Sequence, residues 1–480
     1  MGIDDTRLVI KGRIPTNGID ECGKISADAA VALGRKFLVI EENFEHKVKG
    51  LAILPFSGIF KNPYGELSCS RPSIRMRMDL KGQNIVIFSL FRFDAEIEST
   101  SFALARQLAQ NNQVYYFDNP YTFKDLIRRR KTEAFRKRWG KFGLFSDEPI
   151  VLPANLVHVF ILPVLLSIHF LPEGRLYRLL LGLNEFFIRR KIRYVLKKRG
   201  VTDFIYINSF NFHYPGVAQH LHPRLTVYHC LDPIIGEFDR RHGLVSEQAL
   251  VRQADLVICS SKQLFEEKKP INPNTHFIPN AADVDHSQKA LDPTLLVSPL
   301  LAGIKTPIVG YLGSIDHRMD FPLVEYLAQQ HPDKSFVLIG PLFATLPRAI
   351  QTAPNIHFPG KIKYDDLPSV LKGFSVCIIP FKKDAQSATV FPLKLFEYLG
   401  AGKPVVLSNF NPDLGDFTAG SAAICAAPPV FSEAIEEALA TDSEAQQAER
   451  VRIASCNTWQ HRAEAVATLL AAQKPAHATL

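Results

Sequence analysis

Two stretches of the chain alternate short apolar runs with segments of helical spacing, and this alternation restricts the fold more than any other feature. The first stretch begins with the run Ile85–Leu90 and ends near Ile278, and the second extends from Ile308 to Leu407. Short apolar strands that alternate with helices are typical of parallel sheets. The sequence therefore predicts an α/β protein with two doubly wound, Rossmann-like domains that face a central cleft, where the carboxyl ends of strands bind ligands.

The chain divides into four predicted segments. Residues 1–80 contain scattered glycine, proline and charge, and we treat them as an N-terminal extension of unknown structure. Residues 81–300 and 301–455 hold the two domains, joined by a linker near Leu291–Thr306. Residues 456–480 form a C-terminal segment, and helical spacing predicts helices over Ser432–Leu439 and Ser443–Ala472.

Charge is uneven along the chain. The 480 residues include 56 Lys and Arg and 48 Asp and Glu, a net charge of +8. Residues 124–141 and residues 173–199 each hold nine basic and two acidic side chains, or +7 each, so the remainder carries −6. This distribution argues against a nucleic-acid partner. It favours an anionic membrane surface, such as acidic lipid headgroups or a lipid-linked phosphate. The alternative is a solvated helix face without a partner.

An apolar run without Asp, Glu, Lys or Arg, residues 149–172, separates the two basic stretches. It is long enough to span a bilayer. Its interior Pro153 and Pro163 disfavour a spanning helix, because proline breaks helices, and favour a buried strand with a loop. The acidic N-terminus shows no secretory signal. We therefore expect a cytoplasmic protein that is peripheral on the inner face of the membrane.

The segment that most clearly indicates a ligand-binding site is Thr389–Val406. It follows a strand-like run, and Pro392 is suited to the first position of a helix. The spacing predicts that the N–H groups of Val390, Phe391 and Leu393 are free and face the cleft, where a helix N-terminus binds anions.

Two charged side chains follow in the same predicted helix. Lys394 adds positive charge at the anion site, and Glu397 lies three residues later on roughly the same face. A carboxylate at that place can accept two hydrogen bonds from the vicinal hydroxyls of a ribose. Together they suit a nucleoside diphosphate, and the alternative is a Glu–Lys pair on an ordinary helix surface.

Thr389–Val406 also resembles the donor-binding motif of GT-B glycosyltransferases, specifically the large retaining group called family 4. The Pro-Leu-Lys-x-x-Glu-Tyr core is similar to that of teichuronic-acid and capsule-type members. Glu397 matches the family's second glutamate, which holds the ribose. The first glutamate is replaced by Thr389, so the identity of the donor sugar stays open.

Further segments resemble the same family in the same order, and the match covers roughly residues 84–472. They are Ala254–Ser261, Ile278–Asp283, Val309–Asp320, Phe358–Tyr364 and Trp459–Arg462. The resemblance implies a GT-B fold with an acceptor-binding domain over 81–300 and a nucleotide-sugar-binding domain over 301–455. It also implies C-terminal helices that cross back, with 456–480 packing on the first domain.

The resemblance assigns a set of donor-site residues. Those near the diphosphate or the base are Gly313, Ser314, Arg318, Lys361 and Ile362, and those of the motif are Thr389, Val390, Phe391, Lys394 and Glu397.

Candidate catalytic residues follow a strand of the first domain. His229 and Asp232 can point into the cleft, where the resemblance places an acidic or histidine side chain near the transferred sugar, and we favour Asp232. The alternative is a helix-capping aspartate and a histidine at the edge of the core. Asp283-Val-Asp285 imitates a metal-binding motif, but we interpret it as structural. We therefore expect no metal and no cofactor beyond the sugar nucleotide.

These observations predict a glycosyltransferase of the hexosyltransferase type, active in polysaccharide biosynthesis of the cell envelope. It would move a sugar from a nucleoside-diphosphate sugar to a lipid-linked or polysaccharide acceptor at the cytoplasmic membrane face, with retention of configuration. Two alternatives stay open. One is a GT-B-fold sugar-nucleotide epimerase, and the other is a degenerate, non-catalytic protein that binds nucleotide or membrane.

Overall fold

A computed structural model describes residues 80–94, 99–150 and 156–473. Apart from Leu80, the predicted extension over residues 1–80 lies outside the described residues.

The first domain is built on a parallel sheet of seven strands in the order β3-β2-β1-β4-β5-β6-β7. Each strand is short and nearly completely buried, as the apolar runs predicted. The run without charges between the basic stretches supplies the edge strand β3. The strands are β1 Asn84–Ser89, β2 Gln113–Phe117, β3 His158–Phe160, β4 Ile205–Ser209, β5 Leu225–Cys230, β6 Leu256–Cys259 and β7 Thr275–Phe277.

The second domain has a parallel sheet of six strands in the order β10-β9-β8-β11-β12-β13. The order reverses between β8 and β11, because β8 to β10 extend in one direction and β11 to β13 in the other. The strands are β8 Ile308–Leu312, β9 Ser335–Ile339, β10 Ile356–Gly360, β11 Val376–Ile379, β12 Val405–Ser408 and β13 Ala422–Cys425. The predicted doubly wound architecture is confirmed.

Helices cover both faces of the two sheets. In the first domain they are α1 Thr100–Leu108, α2 Phe123–Arg129, α3 Glu133–Arg138, α4 Arg175–Lys198, α5 Glu237–Gln253 and α6 Lys262–Lys268. The short helix α7 Val284–Gln288 comes next in the chain and packs against the core of the second domain. In the second domain the helices are α8 Phe321–Gln330, α9 Arg348–Thr352, α10 Leu367–Gly373, α11 Leu393–Gly400, α12 Leu414–Thr418, α13 Pro428–Thr441, α14 Glu444–Ser455 and α15 Trp459–Ala472. No helix in these described ranges is long and apolar enough to cross a bilayer.

The segment Ser443–Ala472, predicted to be helical, consists of two helices. The segment forms α14 and α15, which are separated at Cys456–Thr458. The Thr458 side chain accepts a hydrogen bond from the His461 N–H and so caps the second helix. A threonine favours this position because its hydroxyl satisfies an N–H group that has no partner inside the helix.

Helix α15 lies against the first domain, as expected for C-terminal helices that cross back. Its Ala463, Val466 and Leu470 are buried in the hydrophobic core formed by α1 and one face of the first sheet. The chain thus passes from the first domain to the second and then returns.

Two basic side chains of the charged stretches are buried and do not reach the surface. The Arg138 guanidinium donates to Asp118 Oδ2 (2.6 Å from Nη2) and to Asp94 Oδ1 (2.6 Å), and it fixes α3 to the ends of β1 and β2. Lys191 Nζ donates to the Gly143 carbonyl at 2.7 Å and also bonds Ser146. Burial lowers the pKa of Lys191 to about 8. Neither cation is available to an anionic surface.

Candidate active site

Most of the predicted donor-site residues of the second domain lie at the point where its strand order reverses. The loop that follows β8 contains Gly313 and Arg318, and the loop that follows β11 leads into α11 with Lys394 and Glu397. Because β8 and β11 are adjacent and parallel, their carboxyl ends open a crevice between these two loops. Such a switch point is where open α/β sheets bind ligands.

Lys394 lies in the first turn of α11 inside a cage of aromatic rings. Its Nζ donates to the Tyr311 hydroxyl at 2.7 Å and lies 4.2 Å from the centre of that ring. The Phe381 ring centre is 4.8 Å away. Burial lowers the pKa of Lys394 to about 7, and the nearby Arg318 charge acts in the same direction. The ammonium group is therefore fixed in position but poorly solvated, and an anion would stabilise it.

Glu397 lies three residues further along the same helix and is half-buried. Among the described residues, none donates a hydrogen bond to its carboxylate. Burial raises the pKa of Glu397 to about 7. The charge of Lys394 acts to lower this pKa, and the carboxylate of Asp283 acts to raise it further. A partly desolvated carboxylate with open oxygens suits a ligand that brings hydroxyl donors.

Gly313 allows the β8 loop to approach Lys394 closely. Its φ is +141°, and an added Cβ would lie 2.6 Å from Lys394 Nζ. Across the loop, a Cβ on Gly340 would lie 2.0 Å from the Gly313 carbonyl oxygen, so both positions require glycine. The neighbouring Ser314 accepts a hydrogen bond from the Tyr311 hydroxyl through its carbonyl at 2.8 Å.

Arg318 is oriented by Asp316 and faces the first domain. Two hydrogen bonds join the pair, from Nε to Oδ1 at 2.9 Å and from Nη2 to Oδ2 at 2.6 Å. The guanidinium lies over the Phe381 ring, 5.3 Å from its centre. It is close enough to Asp232 to lower the pKa of that carboxyl, although burial raises it overall. The fold therefore brings Asp232 of the first domain close to Arg318 of the second.

His229 lies near the end of β5 and is buried. Its Nδ1 is 3.2 Å from the Ser209 hydroxyl, which in turn is 2.7 Å from the Ser101 hydroxyl. Burial lowers the pKa of His229 to about 4, so the ring is neutral near pH 7. His229 is thus tied to the sheet edge, whereas Asp232 lies beyond the strand.

The expected cluster of free N–H groups before α11 is wrong in part. The Val390 N–H donates to the Ser387 carbonyl at 3.0 Å, because Ser387–Thr389 forms a 3-10 turn. Pro392 precedes the first helical residue instead of occupying that position. The N–H groups of Phe391 and Leu393 have no acceptor among the described residues. Two such groups, instead of three, are available to an anion.

Thr389, which stands in place of the family's first glutamate, is buried. Its hydroxyl donates to the Gln386 carbonyl at 2.7 Å. Lys361 and Ile362 follow β10; Lys361 is exposed, and Ile362 packs partly against the core.

The sequence did not reveal the surroundings of these residues. Asp283 caps α7 by accepting from the His286 N–H at 3.2 Å, which confirms its structural role. Its other oxygen accepts from the Tyr364 hydroxyl at 3.2 Å, and Tyr364 stacks on His286 with ring centres 4.3 Å apart. Asp283 is also close enough to Glu397 to raise its pKa. The linear order of residues gave no signal for this proximity.

In the part of the chain that the structure describes, no three histidine, cysteine, aspartate or glutamate side chains form a group that could hold a metal ion. The expectation that no metal is needed stays a prediction.

Comparisons with known proteins agree with this architecture. Residues 306–441, which contain most of the candidate donor site, match the family described as Glycosyl transferases group 1. TuaH of Bacillus subtilis (strain 168), assigned as a glycosyltransferase of teichuronic acid biosynthesis, is 30% identical over 204 residues. The match covers 38% of this chain and 50% of TuaH, so the chain spans about half the length of that curated relative.

Three solved structures share the fold. Sucrose-phosphate synthase of Thermosynechococcus elongatus superposes with a TM-score of 0.55 at 16% identity, covering 81% of this chain and 98% of the synthase. A UDP-forming trehalose-phosphate synthase of Burkholderia vietnamiensis superposes with a TM-score of 0.56 at 14% identity, covering 79% of this chain and 95% of that synthase. HepE of Anabaena, solved in complex with UDP, superposes with a TM-score of 0.53 at 13% identity, covering 82% of this chain and 100% of HepE.

The class that these findings define is the GT-B fold of glycosyltransferases, with two parallel sheets and their helices facing one cleft. Within that class the predicted resemblance to group 1 glycosyl transferases is confirmed. The narrower assignment to the retaining family 4 stays a prediction.

Proposed function

We propose that this protein is a glycosyltransferase that uses a nucleoside-diphosphate sugar as donor. The observation that carries the proposal is the placement of Lys394 and Glu397 one helical turn apart at the strand switch point. One is a caged ammonium group and the other a carboxylate without a hydrogen-bond donor. A diphosphate presents the anion that suits Lys394, and a ribose presents the hydroxyl donors that suit Glu397.

The residues around the crevice have different roles in cleavage of the donor. Lys394, Arg318 and the N–H groups of Phe391 and Leu393 stabilise the charge that develops on the leaving diphosphate. The vicinal hydroxyls of the ribose donate to Glu397. These groups are held in place before the donor arrives, so little reorganisation is needed.

Asp232 is proposed to lie beside the transferred sugar. It is placed close to Arg318, and the buried, neutral His229 positions the strand that precedes it. We propose retention of configuration, through attack on the face that the diphosphate leaves, with that phosphate accepting the proton of the acceptor. The transferred group is a hexose, and Thr389 leaves its identity open.

The acceptor is proposed to be lipid-linked or a polysaccharide at the inner membrane face, in cell-envelope biosynthesis. The basic stretches of the first domain support an anionic membrane surface, although Arg138 and Lys191 do not contribute. The assignment of TuaH to teichuronic acid biosynthesis agrees with this class of acceptor. No resident metal or cofactor is proposed, and full activity in the presence of a chelator would test this.

Product analysis tests the proposal. The full chain is incubated with UDP- and GDP-sugars, with and without lipid-linked acceptors, and the nucleotide and sugar products are separated. Acceptor-dependent release of nucleoside diphosphate with a new glycoside supports a transferase. A new sugar nucleotide without release indicates an epimerase, and binding without turnover indicates a degenerate protein. Either of these outcomes contradicts the proposal.

A further inference from the structure

The outward face of α4 is unusual for a helix that covers a sheet. Leu176, Leu179, Leu183 and Phe186 are 60%, 71%, 41% and 46% exposed. They are spaced by three and four residues, so they form one row along the helix. The opposite side of α4 already supplies the core through Ile188 and Ile192. The row therefore lies outside the hydrophobic core that the described residues of the domain form.

The same row changes character in the second half of the helix. Its next members at the same spacing are Arg190, Arg193 and Lys197, all exposed. The apolar part, from Leu176 to Phe186, is about 15 Å long at the rise of an α-helix. A surface that is apolar at one end and cationic at the other is typical of segments that lie in a membrane interface.

The loop that precedes α4 carries a further exposed apolar side chain. Phe170, in this loop, is 63% exposed. The loop is held against the core-facing side of α4 by the buried Asn184, whose side chain bonds both the N–H and the carbonyl of Leu166. It is joined to α2 through Lys124, whose N–H donates to the Ser167 hydroxyl. We define the apolar face as Phe170, Leu176, Leu179, Leu183 and Phe186.

Helix α2, beside this loop, contributes both apolar and cationic groups. Its Ile127 is 75% exposed. Arg128 on α2, and Arg130 and Lys131 directly after it, are exposed and have no acidic partner among the described residues. Unpaired cations close to exposed apolar side chains are complementary to a layer of anionic headgroups over hydrocarbon.

We propose that the apolar face inserts into the interface of an anionic bilayer, with Arg128, Arg130 and Lys131 against the headgroups. The loop that carries Phe170 follows β3, so it lies at the same edge of the first sheet as Asp232, which follows β5. Insertion therefore places the opening of the first domain's half of the cleft next to the membrane. The role of an acceptor delivered from that membrane rests on the proposed function, whereas binding to the bilayer does not.

The experiment is sedimentation of the full chain with vesicles of phosphatidylcholine, either alone or with phosphatidylglycerol. The test variant is Leu179→Glu/Leu183→Glu. The matched control is Leu296→Glu/Leu300→Glu, which introduces the same charges at residues that are 83% and 42% exposed in the linker. Calorimetric binding of UDP and GDP verifies that each variant retains the second domain.

We expect the wild type and the control to bind the anionic vesicles, and the test variant to bind them at least about tenfold more weakly, because two inserted side chains become charged. Arg128→Glu/Arg130→Glu should reduce binding to anionic vesicles without affecting the weaker binding to phosphatidylcholine.

Several outcomes would overturn the inference. The wild type fails to bind vesicles, the test variant binds as the wild type does, or the control loses as much affinity. A wild-type dimer that the test variant dissociates would assign the face to a second copy of this chain instead. Vesicle binding without sugar transfer would leave this surface standing and would reject the proposed function, so the two failures are distinguishable.

Discussion

Replacing Glu397 by alanine removes the acceptor that we assign to the ribose, and the loss can be sized from the structure. Each hydrogen bond to a charged group contributes about 1.5–3 kcal/mol. Two bonds at the lower end give about 3 kcal/mol, because the half-buried site admits water when the carboxylate is absent. This corresponds to about a hundredfold weaker binding of the nucleoside diphosphate.

The pH dependence of this contact has a definite sign. The pKa of Glu397 is raised to about 7, so the carboxylate is largely protonated at pH 6 and largely ionised at pH 8. The preference for UDP over 2′-deoxy-UDP should therefore increase severalfold between these values. The ratio of the two dissociation constants cancels the titration of Lys394 and of the phosphates, since both ligands share them.

Calorimetry with UDP and 2′-deoxy-UDP on the wild type and on Glu397→Ala gives the four affinities needed. Glu437→Ala is the control, because this glutamate is exposed on α13. In Glu397→Ala the preference for the 2′-hydroxyl should disappear at every pH. A preference that survives in the variant, or that does not change with pH, would refute the assignment of Glu397 to the ribose.

Four further substitutions test other parts of the structure. Lys394→Met should weaken the binding of UDP about tenfold to a hundredfold and leave the binding of uridine unchanged, because the ammonium group contacts phosphate. Calorimetry measures both affinities, and an equal loss for the two ligands would contradict this role of Lys394. Gly313→Ala should lower the free energy of unfolding by about 1–3 kcal/mol more than Gly360→Ala, which has positive φ but open space, as measured by denaturant titration. Asp232→Asn should reduce turnover about a hundredfold with unchanged donor affinity, whereas unchanged turnover would remove Asp232 from the mechanism. Arg138→Met removes the cation from the buried Asp118 and the partly buried Asp94, and it should lower the free energy of unfolding by about 3–5 kcal/mol.

Elements governed by local patterns were predictable from the sequence. The second predicted α/β stretch begins at Ile308, and the structure places a strand there, Ile308–Leu312, because the residues form a continuous apolar run. The helix that follows, Phe321–Gln330, begins after a capping aspartate, Asp320. The strand Ala422–Cys425 was not predicted. Small, alanine-rich strands carry a weak apolar signal, and only pairing with β12 defines this one.

The candidate site was predictable as a set of residues but not as an environment. The spacing of Lys394 and Glu397 follows from helix geometry, and the structure keeps it. The aromatic cage could not be predicted, because Tyr311 and Phe381 come from two different strand ends that meet only in the folded sheet. The hydrogen bond of the Val390 N–H depends on a turn whose residues, Ser387–Thr389, have no distinctive pattern.

The double passage of the chain between the domains limits how they can move. Ala282, on the outward passage, donates its N–H to the Asn457 carbonyl on the return passage at 3.3 Å. The buried Arg462 joins both, with Nε 3.1 Å from the Pro279 carbonyl and Nη2 bonded to the Asn457 side chain. Two adjacent backbone segments, held together by one guanidinium group, therefore connect the domains. We expect such a paired connection to permit bending about one axis and to resist twisting, which would keep Asp232 close to Arg318 when the domains move.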